Sequence, residues 1–239
     1  MDRFFCFAHR GASGHEPENT LLAFETAIEM GAPWIELDVY SVLGFLFVIH
    51  SDNLAESTDG FGSLLEQPLA YSRSLDVGKG QRIPLLREVF TLVRRRAGLN
   101  IELKGTDTAG PVVRMIKEFV VCEEWTYDGI LVSSHHHHEI ERVRELDPKI
   151  KIGVLVNKEN PRYERIADTV DAYSIHPHIS LVDSRMIKNA HKKGRKVFVY
   201  TVDDPSEMAK MESMGVDGIF TNYPDRFAAW SKRKSVNTA

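Results

Sequence analysis

Short apolar runs alternate with longer amphipathic stretches along almost the whole chain. Phe4 to Ala8 predicts a strand, and residues 19–30 predict a helix. That helix carries Leu22, Ala23, Ala27 and Met30 on one face and stops at Gly31. Residues 34–39 predict a second strand, which 45–50 extend after a turn at Gly44. The rhythm then repeats. Helices are predicted over 85–96, 110–121, 139–146, 163–170, 182–192, 205–214 and 224–230. Strands fall between them at 99–103, 130–133, 150–156, 172–175, 196–202 and 218–221.

Strands alternating with helices imply βαβ units and a parallel sheet. Counting the two early strands as one element gives eight units, the number that closes a barrel. The expected fold class is therefore α/β, a (β/α)₈ TIM barrel, forming one domain over 1–239. An open dinucleotide-binding sheet would need a Gly-rich turn after the first strand, and His9-Arg10-Gly11-Ala12-Ser13-Gly14 is not that fingerprint. Residues 51–84 break the rhythm. They read as a small insertion after the second strand unit, placed over the C-terminal mouth without building the core. The tail 231–239 is polar and is expected to fray.

Several strands carry charge where parallel barrel strands should be apolar. Glu36 and Asp38 lie two apart and so share a face, as do Glu102 and Lys104. His9-Arg10 ends the first strand, and His50 ends the extension of the second. Burying ions costs roughly several kcal/mol each unless they pair or bind a metal. Each residue alone could be a structural ion pair such as Lys104 with Glu36. Together, at the ends of the first three strand units, they mark the catalytic face of a barrel. Three carboxylates suit a hard divalent cation, Mg²⁺ or Ca²⁺, with Mn²⁺ also compatible. Arg and Lys suit phosphate oxygens. Two histidines suit a proton donor and acceptor near neutral pH. The set describes phosphoryl transfer.

Composition narrows the picture further. The 239 residues are 43% hydrophobic and 27% charged, ordinary for a globular protein, and the net charge of −4 offers no general attraction to nucleic acid or anionic membrane. The basic runs at 94–96 and 192–196 read as solvated helix ends. Cys6 and Cys122 suggest neither a disulfide framework nor a zinc site, and both read as buried thiols. No apolar run is long enough for a signal-peptide core or a membrane anchor, so a cytoplasmic location is expected.

In order and spacing, the chain resembles the glycerophosphodiester phosphodiesterases over almost its whole length. The motifs that carry this are His9-Arg10-Gly11, Pro17-Glu18-Asn19-Thr20, Glu36-Leu37-Asp38-Val39, His50, Thr58-Asp59-Gly60, Ile83-Pro84-Leu85, Ile101-Glu102-Leu103-Lys104 and Tyr200-Thr201-Val202-Asp203. The resemblance implies a (β/α)₈ barrel that hydrolyses glycerophosphodiesters, such as glycerophosphocholine, to glycerol 3-phosphate and an alcohol. It implies Glu36, Asp38 and Glu102 as ligands of one divalent cation and His9 and His50 as the acid/base pair. Arg10 and Lys104 would bind phosphate, and Glu18, Asn19 and Tyr200 would support the site or meet the substrate. The chain departs from the family pattern at three points. Ser51 follows His50 where Asp is usual. Tyr200 and Asp203 stand where Trp and Asn are common, and Leu43-Gly44 stands where Asp-Gly is usual.

Two further readings accompany this one. A lysophospholipase D would need an apolar trough, which Phe61, Leu64, Leu65, Leu69 and Tyr71 could supply. A non-catalytic phosphodiester-binding barrel would be favoured by loss of a ligand or histidine, and none is lost. The tract His135 to His138 reads as a solvated turn opening a helix near the mouth. His176 and His178, which follow a strand, are placed where either could line the pocket, and they read as hydrogen-bonded loop histidines.

Overall fold

A computed structural model describes residues 4–122, 124–157 and 162–237, with side chains described as far as Lys232. The strands are β1 (Phe5–Ala8), β2 (Trp34–Val42), β3 (Phe45–Val48), β4 (Gly98–Leu103), β5 (Ile130–Ser134), β6 (Lys151–Val156), β7 (Ser174–Pro177), β8 (Lys196–Val199) and β9 (Gly218–Thr221). All but β3 run parallel, in the order β1-β9-β8-β7-β6-β5-β4-β2, and β1 pairs with β2 to close the ring. This is the expected (β/α)₈ barrel of eight strands. The ninth, β3, folds back antiparallel on β2, with Val39 opposite Val48. It is the extension expected after Gly44.

Helices cover the outside: α1 (Leu21–Glu29), α2 (Leu69–Ser72), α3 (Leu86–Val93), α4 (Ala109–Val121), α5 (His137–Leu146), α6 (Tyr163–Thr169), α7 (Ser184–Lys192), α8 (Pro205–Ser213) and α9 (Pro224–Asn237). Side-chain oxygens start several of them. Thr20 accepts from the Ala23 amide, Asp183 from Met186, and Asp204 from Ser206 just before Pro205. The last helix passes the expected end at 230 and runs to Asn237, so most of the supposed tail is helical. Residues 238 and 239 lie outside the described residues.

The strand period of two sorts side chains between two cores. Ile35, Leu37 and Val39 of β2 face outward and pack with Leu86, Val89 and Phe90 of α3 in the main apolar layer. Their neighbours Trp34, Glu36 and Asp38 face inward. A smaller aromatic core of Phe7, Leu131, Phe198 and Phe220 fills the barrel interior. The Phe7 ring lies 4.6 Å from Phe220 and 4.9 Å from Phe198. Above this plug the inward positions turn polar: Asn100, Ser133, Ser174 and His176 are all buried. His176 fits because Gly153 opposite has no side chain. A Cβ there would lie 2.4 Å from the imidazole.

The insertion adds no residue to the main core. It is folded around a core of its own, in which Leu54, Leu64, Leu75 and Ile83 pack with Val42, Phe47 and Ile49 of the β2–β3 hairpin. Short 3₁₀ turns at Leu54–Glu56 and Leu64–Glu66 and the brief α2 carry it. Arg73 clamps it to α3 through Glu88, at 2.7 and 2.8 Å. None of its residues is among those that line the cavity at the mouth, but it touches the loop that follows β1. Lys79 reaches Glu16 at 2.7 Å, and Gly78 packs against Pro17. Cys122 is another correction: it is exposed at the end of α4, while Cys6 is buried.

Candidate active site

The C-terminal ends of the strands open on a cavity of about 250 Å³. Its lining includes His9, Arg10, Glu36, His50, Glu102, Lys104 and Tyr200, seven of the expected site residues. Asp38 stands behind the wall, 1% exposed. Register explains the gathering. Glu36 pairs with Asn100 and Asp38 with Glu102 across β2 and β4, so the three carboxylates sit on adjacent inward positions. One oxygen from each of Glu36, Asp38 and Glu102 lies within 4.8 Å of the others.

Each carboxylate is held from behind. Asn19 gives Asp38 its Nδ2–H at 2.9 Å and accepts the Asp38 amide at 3.2 Å. Asn19 is itself 2% exposed, so of its two expected roles it takes support of the site. The Arg10 amide donates to Glu36 Oε2 at 2.9 Å, which leaves Oε1 buried with no protein partner among the described residues. Arg10 Nη1 meets both oxygens of Glu18, at 3.0 and 2.9 Å. Its Nε lies 3.2 Å from Asp38 Oδ2 yet has no hydrogen-bond acceptor; this contact is ionic proximity without hydrogen-bond alignment. Lys104 donates to Glu102 at 3.1 Å and sits 3.7 Å from Asp38.

Electrostatics sets the character of the cluster. Burial, then the charges of Asp38 and Glu102, push the Glu36 carboxyl well above the usual range. Burial and Asp38 push Glu102 up to about 7, against the pull of Lys104. Burial would lower Arg10 and Lys104, but the surrounding carboxylates outweigh it and hold both cations firmly charged. Hard oxygen donors in mutual repulsion, with one buried oxygen unpartnered, are a donor set that a divalent cation would complete.

The two histidines are held differently. His9 follows β1 and bonds through Nδ1 to Asn222 Oδ1 at 2.8 Å, while its Nε2 lies 4.0 Å from Glu36. His50 follows β3 and makes no side-chain hydrogen bond among the described residues. Ser51, where the family usually has Asp, turns instead to the Asn53 amide at 3.1 Å. Burial lowers both imidazoles below the usual histidine range.

The far wall holds residues placed near the mouth by the sequence but given no role there. His135, alone of its tract, lines the cavity, and burial with nearby Lys104 pushes it down to about 4. His178 also lines it and takes the Ser180 amide on Nδ1, which leaves its Nε2 as the N–H donor. Both rings stand edge-on to Tyr200, whose hydroxyl donates to the Val156 carbonyl at 3.2 Å. His176, expected in a loop, is a buried strand residue bonded to Ser174. Asn222 was also missed. Its position directly after the last barrel strand was the available signal, because every such position borders the mouth. None of Phe61, Leu64, Leu65, Leu69 and Tyr71 lines the cavity, and Leu64 is fully buried. The trough a lysophospholipid would need is not built from them.

Comparison with known proteins gives a consistent picture. The profile of the "Glycerophosphoryl diester phosphodiesterase family" matches residues 9–226. The chain is 35% identical over 232 residues to a glycerophosphodiester phosphodiesterase of Caldanaerobacter subterraneus subsp. tengcongensis, covering 91% of this chain and 93% of that one. It is 34% identical to a glycerophosphodiester phosphodiesterase of Bacillus altitudinis, covering 92% and 95%. Among solved structures it is similar to an Oleispira antarctica phosphodiesterase in complex with the product sn-glycerol-3-phosphate. The TM-score is 0.86 at 29% identity, over 95% of this chain and 96% of that one.

Proposed function

The chain belongs to the glycerophosphoryl diester phosphodiesterase family and is a phosphodiester hydrolase, and from this we propose that it cleaves glycerophosphodiesters to glycerol 3-phosphate and an alcohol. In this reading it is one catalytic domain of residues 1–239, flanked at its mouth by 51–84, and it works in the cytoplasm. The observation that carries the proposal is the convergence of three carboxylates within 4.8 Å, Glu36 and Glu102 in the lining and Asp38 just behind it, at a cavity that also holds His9, His50, Arg10 and Lys104. Glu36, Asp38 and Glu102 would hold one divalent cation, Mg²⁺ or Ca²⁺ by the hardness of the donors. When bound it supplies Lewis-acid stabilisation of negative charge on oxygen.

The protein's own groups do the rest. The glycerol hydroxyl beside the ester oxygen is a built-in nucleophile. Holding it near phosphorus gives the intramolecular advantage, up to about 7–11 kcal/mol of barrier in favourable cases. One of His9 and His50 takes its proton as the new O–P bond forms, and the other protonates the departing alcohol as the old P–O bond breaks. The resulting cyclic phosphate is opened by water with the proton transfers reversed. Arg10 and Lys104 steady charge on the non-bridging oxygens. Tyr200 and His178 offer an acceptor and a donor to the hydroxyls of the bound alcohol.

The test is release of glycerol 3-phosphate over a panel of diesters, with and without chelator. Chelation should abolish turnover, with Mg²⁺, Mn²⁺ or Ca²⁺ restoring it. Undiminished activity in protein shown to be metal-free by elemental analysis would refute the metal. A substrate whose neighbouring hydroxyl is replaced by hydrogen should bind and hardly react. If it is hydrolysed as fast as the parent, water attacks directly and the cyclic route is wrong.

A further inference from the structure

His9 is held by a chain of hydrogen bonds that ends on Asp203, a residue outside the cavity lining. Asp203 Oδ1 accepts the Asn222 amide at 2.8 Å and the Thr221 hydroxyl at 3.0 Å. Its Oδ2 accepts the side-chain Nδ2–H of Asn222 at 2.8 Å. A carboxylate can only accept, so the Asn222 amide must turn its nitrogen to Asp203 and its oxygen the other way. That oxygen receives His9 Nδ1 at 2.8 Å and lies 2.9 Å from the Ser13 hydroxyl. An oxygen can only accept, so Nδ1 carries the hydrogen. In neutral His9 the lone pair is then on Nε2, the nitrogen on the Glu36 side.

We infer that Asp203, acting through Asn222, fixes His9 as the Nδ1–H tautomer and so presents Nε2 to the substrate as the proton acceptor. Asp203 is a positioning residue: it touches neither the cavity nor the ring. The chain of bonds has a direction, and the direction is set at its far end. Asn, common at 203 in the family, would in this chain meet an unchanged Asn222 and offer it N–H. Asn222 would be free to turn over, placing its own N–H against His9 Nδ1. The ring would answer by moving its hydrogen to Nε2, and the acceptor facing the substrate would be lost. The effect on turnover rests on the catalytic role given to His9 above; the tautomer itself does not.

The experiment reads both separately. Long-range ¹H–¹⁵N spectra of the ring nitrogens report which one carries hydrogen, in the whole protein and without substrate. In the parent, His9 should show protonated Nδ1 and bare Nε2. Asp203→Asn should move the hydrogen to Nε2 and lower kcat on the order of 10²- to 10⁴-fold, the range a positioned base supplies, with KM little changed. The double variant Asp203→Asn/Asn222→Asp reverses the donor and acceptor between 203 and 222 yet keeps an acceptor for His9 Nδ1. It should restore both the tautomer and most of kcat, which a merely structural role would not predict. If Asp203→Asn does not fold, Asn222→Ala serves instead, and a mixture of tautomers with lowered kcat is expected. An Asp203→Asn protein that keeps bare Nε2, or a double variant no better than the single, overturns the inference. A tautomer that switches while kcat holds shows that His9 is not the acceptor and overturns the catalytic half.

Discussion

At the scale of single residues, the site stores electrostatic tension in its carboxylates. Glu102 is pushed up to about 7 by burial and by Asp38. A carboxyl raised in the folded state contributes stability that is fully present below its unfolded value near 4.5 and is lost as pH rises through about 7. Metal-free protein at pH 8 should therefore be less stable than at pH 4.5 by about 3 kcal/mol from this group alone. The expected outcome is that added Mg²⁺ or Ca²⁺ raises Tm more at pH 8 than at pH 5. Equal shifts at both values would argue against these carboxylates as ligands. Much of this site was legible in the sequence, because Glu36, Asp38 and Glu102 break apolar strands at a period of two. His135, His178 and Asn222 were marked only by their place just past a strand end, because loops after strands have no period to single them out. Asn19 was visible as a motif residue, but its grip on Asp38 depends on a fold-back at Arg10, where φ is 55°.

At the scale of elements, 51–84 is a folded unit with its own apolar centre. Its buried residues, Leu54, Leu64, Leu75 and Ile83, follow neither a helical nor a strand spacing, so sequence pattern could not reveal that core. The barrel strands and helices were readable for the opposite reason, since each repeats one period over a whole element. Replacing 53–82 with a short Gly/Ser linker should leave a cooperatively melting barrel, because the main core draws no residue from the segment. Stability should fall, since Val42, Phe47 and Ile49 would be uncovered. Burying such a side chain is worth about 1.5–3 kcal/mol. Turnover should fall as well, through loss of the Lys79–Glu16 and Gly78–Pro17 contacts that brace the loop carrying Arg10 and Glu18. Circular dichroism with thermal melts, beside the activity assay, checks both. A variant with parental turnover would show that the brace is dispensable.

At the scale of the whole molecule, the barrel interior sets the acid limit. His176 is fully buried between the aromatic plug and the cavity, and burial, with His135 adding to it, pushes its pKa down to about 3. A histidine lowered in the folded state contributes stability present above its unfolded value near 6.5 and lost as pH falls through about 3. On this count alone acidification should cost the barrel about 5 kcal/mol. His176→Gln should flatten the pH dependence of urea unfolding between pH 6 and 3, even if it is less stable at pH 7. An unchanged slope would mean that the ring is protonated in the folded state.

The bond from His9 to Asn222 spans 213 positions and crosses the seam where the first strand meets the last. During synthesis the amino-terminal half leaves the ribosome first. It already holds every carboxylate, both histidines and both cations of the site. It does not yet hold Asn222, whose side-chain oxygen bonds His9 Nδ1. A nascent or clipped chain ending before residue 222 thus carries nearly all the chemistry in an unaimed form. If His9 has the role proposed above, turnover would be a property only of the finished ring, and an incomplete copy would be a silent one.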